Sequence, residues 1–221
     1  NLDQLLAINN AMKYPLAYIQ GPPGTGKTNT ILNTIVTAFF NNMTVLFASY
    51  NNVPINNVFE KLSSLTYKGK RVAFPVLRLG NQEKVKECIC YINQLRREVH
   101  GIKVFSSTLD RRKGDRIDRA KQLSGRLKEY EEVLDLTERK ETLTQVMEYQ
   151  ERMKNVATLF HFHTDLQGRQ LRNLDEKIQK IGEISERDAM ALLDRNEDEF
   201  YSYLYYTSAK YIKELESNRF Q

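Results

Sequence analysis

With 221 residues and 41% hydrophobic side chains, the chain has material for one large domain or a domain with a sizeable insertion. No apolar run approaches the roughly 18–20 residues of a membrane span, and no signal-peptide pattern is present, so the expected setting is the cytoplasm, away from any membrane. The net charge of +5 is segregated, with 2 basic and 2 acidic residues in 1–60, 15 and 6 in 61–120, and 16 and 20 in 121–221. A basic middle segment suits a phosphate-backbone partner, although a solvated basic surface has the same composition.

Residues 1–12 read as a short helix with Leu2, Leu5, Leu6 and Ile8 on its apolar face, and Asp3 and Gln4 at its start. Tyr14-Pro15 ends it, because the residue before a proline avoids the α region. Pro15 to Gln20 is an apolar run and reads as a buried strand. Gly21-Pro22-Pro23-Gly24-Thr25-Gly26-Lys27-Thr28 then satisfies G-x-x-x-x-G-K-[ST] in full, and Ile31, Ile35, Val36 and Phe39 recur behind it at helical spacing. Strand, glycine-rich loop and helix form a phosphate cradle: backbone N–H groups turn inward and the helix presents its positive end. In such a loop Lys27 reaches the β- and γ-phosphates and the Thr28 hydroxyl holds Mg²⁺. Pro22 and Pro23 stiffen the loop where no N–H donor is needed.

A helix is expected to about Phe40, a turn at Asn41-Asn42, and a second, central parallel strand at 43–49. Four asparagines crowd the stretch Tyr50 to Asn57 at the carboxyl end of that strand, the edge where α/β proteins bind ligands. Amide side chains there suit the backbone of a nucleic acid strand. Val58, Leu62 and Leu65 continue as a helix. A third apolar stretch, 71–79, reads as a strand interrupted by Pro75, and Asn81 caps a helix to about Leu95 with Val85, Ile89 and Ile92 inward. Cys88 and Cys90 lie on that helix without the second pair a metal site requires, and read as buried helix cysteines.

From about residue 108 the chain turns helical and highly charged. Leu123, Leu127, Tyr130 and Leu134 step by four and three, the seam of a packed helix. Leu143, Met147, Met153, Val156 and Phe160 resume that spacing, giving one long helix or a helical hairpin. Further helices are expected at 171–181, stopped by Gly182, and from Ser185, where Asp188 completes a capping-box pattern. The last helix, 198–216, carries Phe200, Tyr203, Leu204, Tyr211, Ile212 and Leu215 on one face, a packing surface rather than a base-stacking platform. The expected division is residues 1–107 as the nucleotide-binding part and 108–221 as a helical insertion. His161 and His163, two apart, suit no helical metal site.

Residues 1–95 resemble the first RecA-like domain of superfamily 1 DNA/RNA helicases, in the branch typified by the nonsense-mediated-decay helicase. Asn1-Leu2-Asp3-Gln4 matches that branch's leading N-x-x-Q segment, and Gly21–Thr28 is identical to its nucleotide loop. Asn52 to Asn57 matches its N-x-A-V-D-N box at Asn52 and Asn57 and keeps Ile55 as a hydrophobic residue, with Pro54 and Asn56 departing from it. Val76-Leu77-Arg78-Leu79-Gly80 is similar to its third strand. The resemblance implies ATP and Mg²⁺ as cofactors, with Lys27 and Thr28 catalytic, and adenine contact by Gln4. It also implies single-stranded DNA or RNA as partner, contacted by Tyr50, Asn52 and Asn57. The implied fold class is α/β, a P-loop NTPase with a partial parallel sheet and a large all-helical insertion or arm.

Hydrolysis in this class needs a pair of carboxylates at the end of an apolar strand. Asp175-Glu176 and Asp198-Glu199 lack that strand. The chain therefore reads as the amino-terminal piece of a helicase, cut before its second ATPase motif, able to bind ATP but not to hydrolyse it alone. Its unfinished sheet edge would be covered by helices, by missing carboxyl-terminal domains or by self-association. Three other readings use the same loop: a P-loop kinase, an AAA+ ATPase, whose expected acid pair some 50–60 residues after Lys27 is missing from residues 77–100, and a nucleotide-dependent scaffold acting through its helical arm.

Overall fold

The computed structural model describes residues 2–80, 82–154, 164–193 and 196–217. Seven helices and one small hairpin are found among them: α1 Leu2–Lys13, α2 Lys27–Phe40, α3 Asn52–Ser63, β1 Thr66–Tyr67, β2 Lys70–Arg71, α4 Gln82–His100, α5 Ser106–Lys154, α6 Thr164–Leu192 and α7 Glu197–Ser217. They divide into two compact units, one made of Asn1–Asn9 with Asp118–Leu193, the other of Asn10–Ile117 with Asp194–Gln221.

The first unit is all helical. Leu2 and Leu6 of α1 are buried with Leu127 of α5 and Ala189 of α6, and Leu5, Leu123, Tyr130 and Met190 pack around them. The Tyr130 hydroxyl donates to Asp3 Oδ1 at 2.9 Å, and Arg126 ties α5 to α6 through Asp188 at 3.1 Å. The expected α5 seam holds at Leu127 and then passes to Val133, which is buried, while Leu134 is exposed. Gly182 does not stop a helix. α6 runs through it, and a Cβ built there would stand 3.8 Å from Val133 Cγ1, an ordinary van der Waals contact, so the packing does not require glycine here. Ser185 accordingly lies inside α6 rather than at a cap, and Asp188 serves Arg126. Val156, Phe160, His161 and His163 lie outside the described residues, as does the side chain of Met153.

In the second unit Val36 of α2, Val58 and Leu62 of α3, Val72, Phe74, and Leu204 and Tyr205 of α7 form one buried cluster. Ala73, Leu95, Val99, Ala209 and Ile212 form another. Val72 and Phe74 go to the first cluster and Ala73 to the second, the two-sided alternation of an extended chain. α7 therefore packs within the same unit as the glycine-rich loop, and its expected packing face is core at Tyr203, Leu204 and Ile212, whereas Tyr211 and Leu215 are exposed. Its start is capped by Asn196 Oδ1, which accepts from the Glu199 N–H at 3.2 Å, and Glu197, Asp198 and Glu199 complement the positive helix end.

The expected partial parallel sheet is not formed among the described residues, where the one sheet is the antiparallel hairpin β1–β2. Residues 15–20, 43–49 and 72–80 take no regular secondary structure and are assigned to no strand. A parallel strand is stabilised by neighbours on both edges and helices on both faces. Here Leu16, Tyr18 and Leu46 are each about 87–88% exposed, so no such neighbours flank them. On α4 the inward face is also displaced from expectation. Cys88, Leu95 and Val99 are buried, whereas Val85 and Ile89 are exposed, and Cys90 is exposed as well. No helix among the described residues is long and apolar enough to cross a membrane.

Candidate nucleotide loop and the asparagine helix

The loop at Gly21–Thr28 is built around one carbonyl. Thr25 closes a turn on Pro22, its N–H donating to the Pro22 oxygen at 3.4 Å and its Oγ1 at 2.8 Å. Pro23 and Gly24 occupy the turn's two central positions, and Gly24 has φ +85°. Proline followed by a residue at positive φ is the signature of a type II turn. Gly26 follows at φ +80° as the N-cap of α2, and its carbonyl accepts from the Thr30 N–H at 3.1 Å. A side chain at either position would be strained in the left-handed region. The Lys27 ammonium folds back over the loop, donating to the Gly21 and Pro22 carbonyls at 2.6 Å each. It is exposed, as are Pro22, Pro23, Gly24 and Thr25, while Thr28 is half-buried in the first turn of α2.

This arrangement has the chemistry of an anion cradle. The first turn of a helix offers backbone N–H groups without intrahelical partners, together with the positive end of its dipole. Lys27 can exchange two neutral carbonyls for phosphate oxygens, a stronger charge-assisted contact. The Thr28 hydroxyl supplies an oxygen of the kind Mg²⁺ takes. Gln4 is half-buried in the first turn of α1, in the first unit, while the loop belongs to the second.

The asparagine-rich stretch is not a turn but the start of α3. Asn51, extended at φ −123° and ψ 164°, is the N-cap, and Asn52, Val53 and Pro54 form the first turn. Proline is accommodated there because its missing N–H would have had no helical partner. Tyr50 is fully exposed at 107%, directly before the cap. Asn52 and Asn56, one helical turn apart, both meet Arg78. Its Nη2 donates to Asn52 Oδ1 at 2.8 Å and its Nε to Asn56 Oδ1 at 3.1 Å. Asn57 is exposed, about 140° further round the helix from Asn52 at roughly 100° per residue. Of the expected strand-contacting residues, then, Tyr50 and Asn52 stand together at the head of α3 and Asn57 is on another face. Arg78 and Asn56 are the residues sequence reasoning passed over. The available signal was Arg78 two residues before Gly80, at the end of the third apolar stretch.

Beside Arg78, a groove of about 720 Å³ runs between α3 and α4, with Phe59, Cys88 and Tyr91 among its lining residues. Its charges balance: Arg78, Lys84 and Lys86 face Glu60, Glu83 and Glu87, and Lys84 is paired with Glu87 at 2.6 Å. Three further basic residues of the 61–120 segment are engaged internally. Arg71 pairs with Glu98 at 3.5 Å, Arg96 with Glu216, and Arg116 lies over the Tyr203 ring at 4.7 Å. Burial pushes the Cys88 thiol up, opposed by a hydrogen bond from the Arg78 backbone. Burial also pushes up the Tyr91 hydroxyl, where Arg71 opposes it. The two acidic pairs weighed for catalysis, Asp175-Glu176 and Asp198-Glu199, lie on α6 and α7. Asp175 is paired with Lys140. Among the described residues no cluster of His, Cys, Asp and Glu could hold a metal ion by itself.

A family model described as "AAA domain" matches residues 1–198. The chain is 31% identical over 114 residues to the DNA replication ATP-dependent helicase/nuclease JHS1 of Arabidopsis thaliana, covering 47% of this chain and 8% of that protein. It is 32% identical over 90 residues to the DNA-binding protein SMUBP-2 of Mus musculus, covering 40% and 8%. It is 37% identical over 76 residues to Regulator of nonsense transcripts 1 of Dictyostelium discoideum, covering 33% and 6%. The chain thus spans less than a tenth of the length of these relatives. No solved structure matches it.

Proposed function

This chain belongs to the AAA domain family, and from that premise we propose that it is the ATP-binding part of a nucleic-acid helicase that couples ATP hydrolysis to movement along a single strand. The resemblance to superfamily 1 helicases of the nonsense-mediated-decay branch is borne out by the family match and by relatives named for helicase activity and nonsense transcripts. The observation that carries the reading is the loop itself. Two glycines at positive φ deliver the chain into the N-terminus of α2 with Lys27 folded over the mouth.

In this reading Gly21, Pro22, Pro23, Gly24, Thr25 and Gly26 shape the phosphate cradle, Lys27 neutralises the β- and γ-phosphates, and Gln4 reads adenine. Thr28 holds Mg²⁺, which when bound would neutralise charge developing on the transferred phosphate. Tyr50, Asn52 and Asn57 contact DNA or RNA. Residues 1–107 supply the nucleotide-binding elements and 108–221 a helical insertion. Both acidic pairs lie on helices rather than at strand ends, which supports a segment that binds nucleotide but does not hydrolyse it unaided. The exposed stretches 15–20 and 43–49 are proposed as strands of a parallel sheet, with an open edge that further domains or a second copy would cover.

The test is binding of single-stranded oligonucleotides across a salt series. Binding should be independent of sequence and weaken steeply with salt, with a logarithmic slope of about −0.7 per phosphate neutralised. Duplex bound as tightly as single strand, or no binding at low salt, would sink the strand-binding reading.

A further inference from the structure

Resting on that strand-binding reading, we propose that Arg78 is a positioning residue. It holds Asn52 and Asn56 by their oxygens, so that their side-chain N–H groups are presented as donors to the phosphates of a single strand. The two asparagines stand i and i+4 on α3 and therefore share one stripe of the helix. Arg78 reaches both acceptors from the segment after Pro75, with Nη2 on Asn52 Oδ1 at 2.8 Å and Nε on Asn56 Oδ1 at 3.1 Å. Nη1 is engaged by the Leu79 carbonyl.

A side-chain amide carries its acceptor and its two donors at opposite edges of one plane. Fixing the oxygen toward Arg78 therefore turns Nδ2 away from it. Without that constraint each amide could rotate and offer oxygen, which repels a phosphate. Donors alone, with no accompanying acceptor, match phosphate oxygens and not the mixed edges of bases. This makes the contact one of backbone positioning rather than sequence reading.

Arginine meets the two oxygens with separate nitrogens of one rigid planar fork, whereas lysine would have to reach both from a single ammonium at the end of a flexible stem. Every contact lies within one compact unit.

The experiment measures single-strand affinity for Arg78→Lys, Arg78→Ala and the pair Asn52→Ala/Asn56→Ala, alone and combined. Arg78→Lys keeps the charge yet should weaken binding roughly tenfold, as Arg78→Ala does. Combining Arg78→Lys with the asparagine pair should add nothing further, because one path is being cut twice. In the unbound protein, Arg78→Lys should shift the side-chain amide NMR resonances of both asparagines. Wild-type affinity in Arg78→Lys, or losses that add fully, would overturn the proposal and make Arg78 an independent phosphate contact. Should the arginine variants not fold, the asparagine pair still decides the matter, since unweakened binding there removes the groups Arg78 is said to orient. No binding by the unsubstituted protein would sink the strand-binding reading and this inference with it. Binding that Arg78→Lys leaves intact would sink this inference alone.

Discussion

At the residue scale the glycine-rich loop was legible in its letters, and the reasons are visible in its geometry. Gly24 and Gly26 adopt φ values that other residues rarely take, and a Cβ at Gly21 would stand 2.8 Å from Thr25 Oγ1. Such needs leave their mark on sequence because a single residue type meets them. Arg78 left no comparable mark, since arginine is common on surfaces and its partners lie 22 and 26 positions away. Cys90 and Cys88 likewise look equivalent in sequence but are exposed and buried, because residues two apart on a helix are about 200° apart. Gln4 carries the adenine assignment and can be tested by itself. An amide reading adenine makes about two hydrogen bonds, so Gln4→Ala should weaken ATP roughly tenfold and leave GTP nearly unchanged in parallel titrations. Equal losses for both nucleotides would remove that role.

At the scale of elements, the limits of α1, α2 and α7 were legible, whereas the break expected at Gly182 and the strands were not. α1, α2 and α7 lie within about two residues of their expected limits because capping, period and proline placement are local signals. Strands depend on partners distant in sequence, so the apolar runs at 15–20 and 43–49 announced extended chain without specifying a ladder. The stretch at 72–74 shows the distinction: its side chains alternate between two clusters as expected of a strand, yet its backbone meets the hairpin only at Val72, whose N–H donates to the Leu65 carbonyl at 2.8 Å. The inward face of α4 was missed for a related reason. Val85 and Ile89 are as apolar as Leu95 and Val99, and only the position of α7 selects the second set. Gly182 stops no helix because a single interior glycine costs only about 1 kcal/mol against alanine, and α6 continues on both sides of it. Gly125 provides a test at this scale. It lies inside α5, and a Cβ there meets nothing within 4 Å. Gly125→Ala should therefore stabilise the protein by about 0.5–1 kcal/mol in chemical denaturation. A loss of stability would mean that α5 is not a continuous helix at that point.

At the scale of the whole molecule, chain order did not reveal that α7 packs with the elements around the glycine-rich loop. Its Leu204, Tyr205, Ala209 and Ile212 complete clusters whose other members lie between Val36 and Val99. This burial also sets a pH dependence. The Tyr91, Tyr203 and Tyr205 hydroxyls are held above the usual tyrosine value mainly by burial, and so is the Cys88 thiol above its own. The folded state therefore keeps protons that the unfolded chain releases, and stability should fall as pH rises from about 9 through the tyrosine range near 10 and beyond. Denaturation profiles across that range should show the decline, and Tyr91→Phe should make it shallower. A profile that is flat or rises there would contradict the packing described.

The claim on which the rest stands is that Gly21–Thr28 binds the triphosphate through Lys27. Calorimetric titration of Mg-ATP into the protein and its Lys27→Ala variant tests it most directly. Saturable binding is expected of the unsubstituted protein and a loss of at least roughly tenfold in the variant, with the fold unchanged by circular dichroism. Equal binding by the two proteins would contradict it.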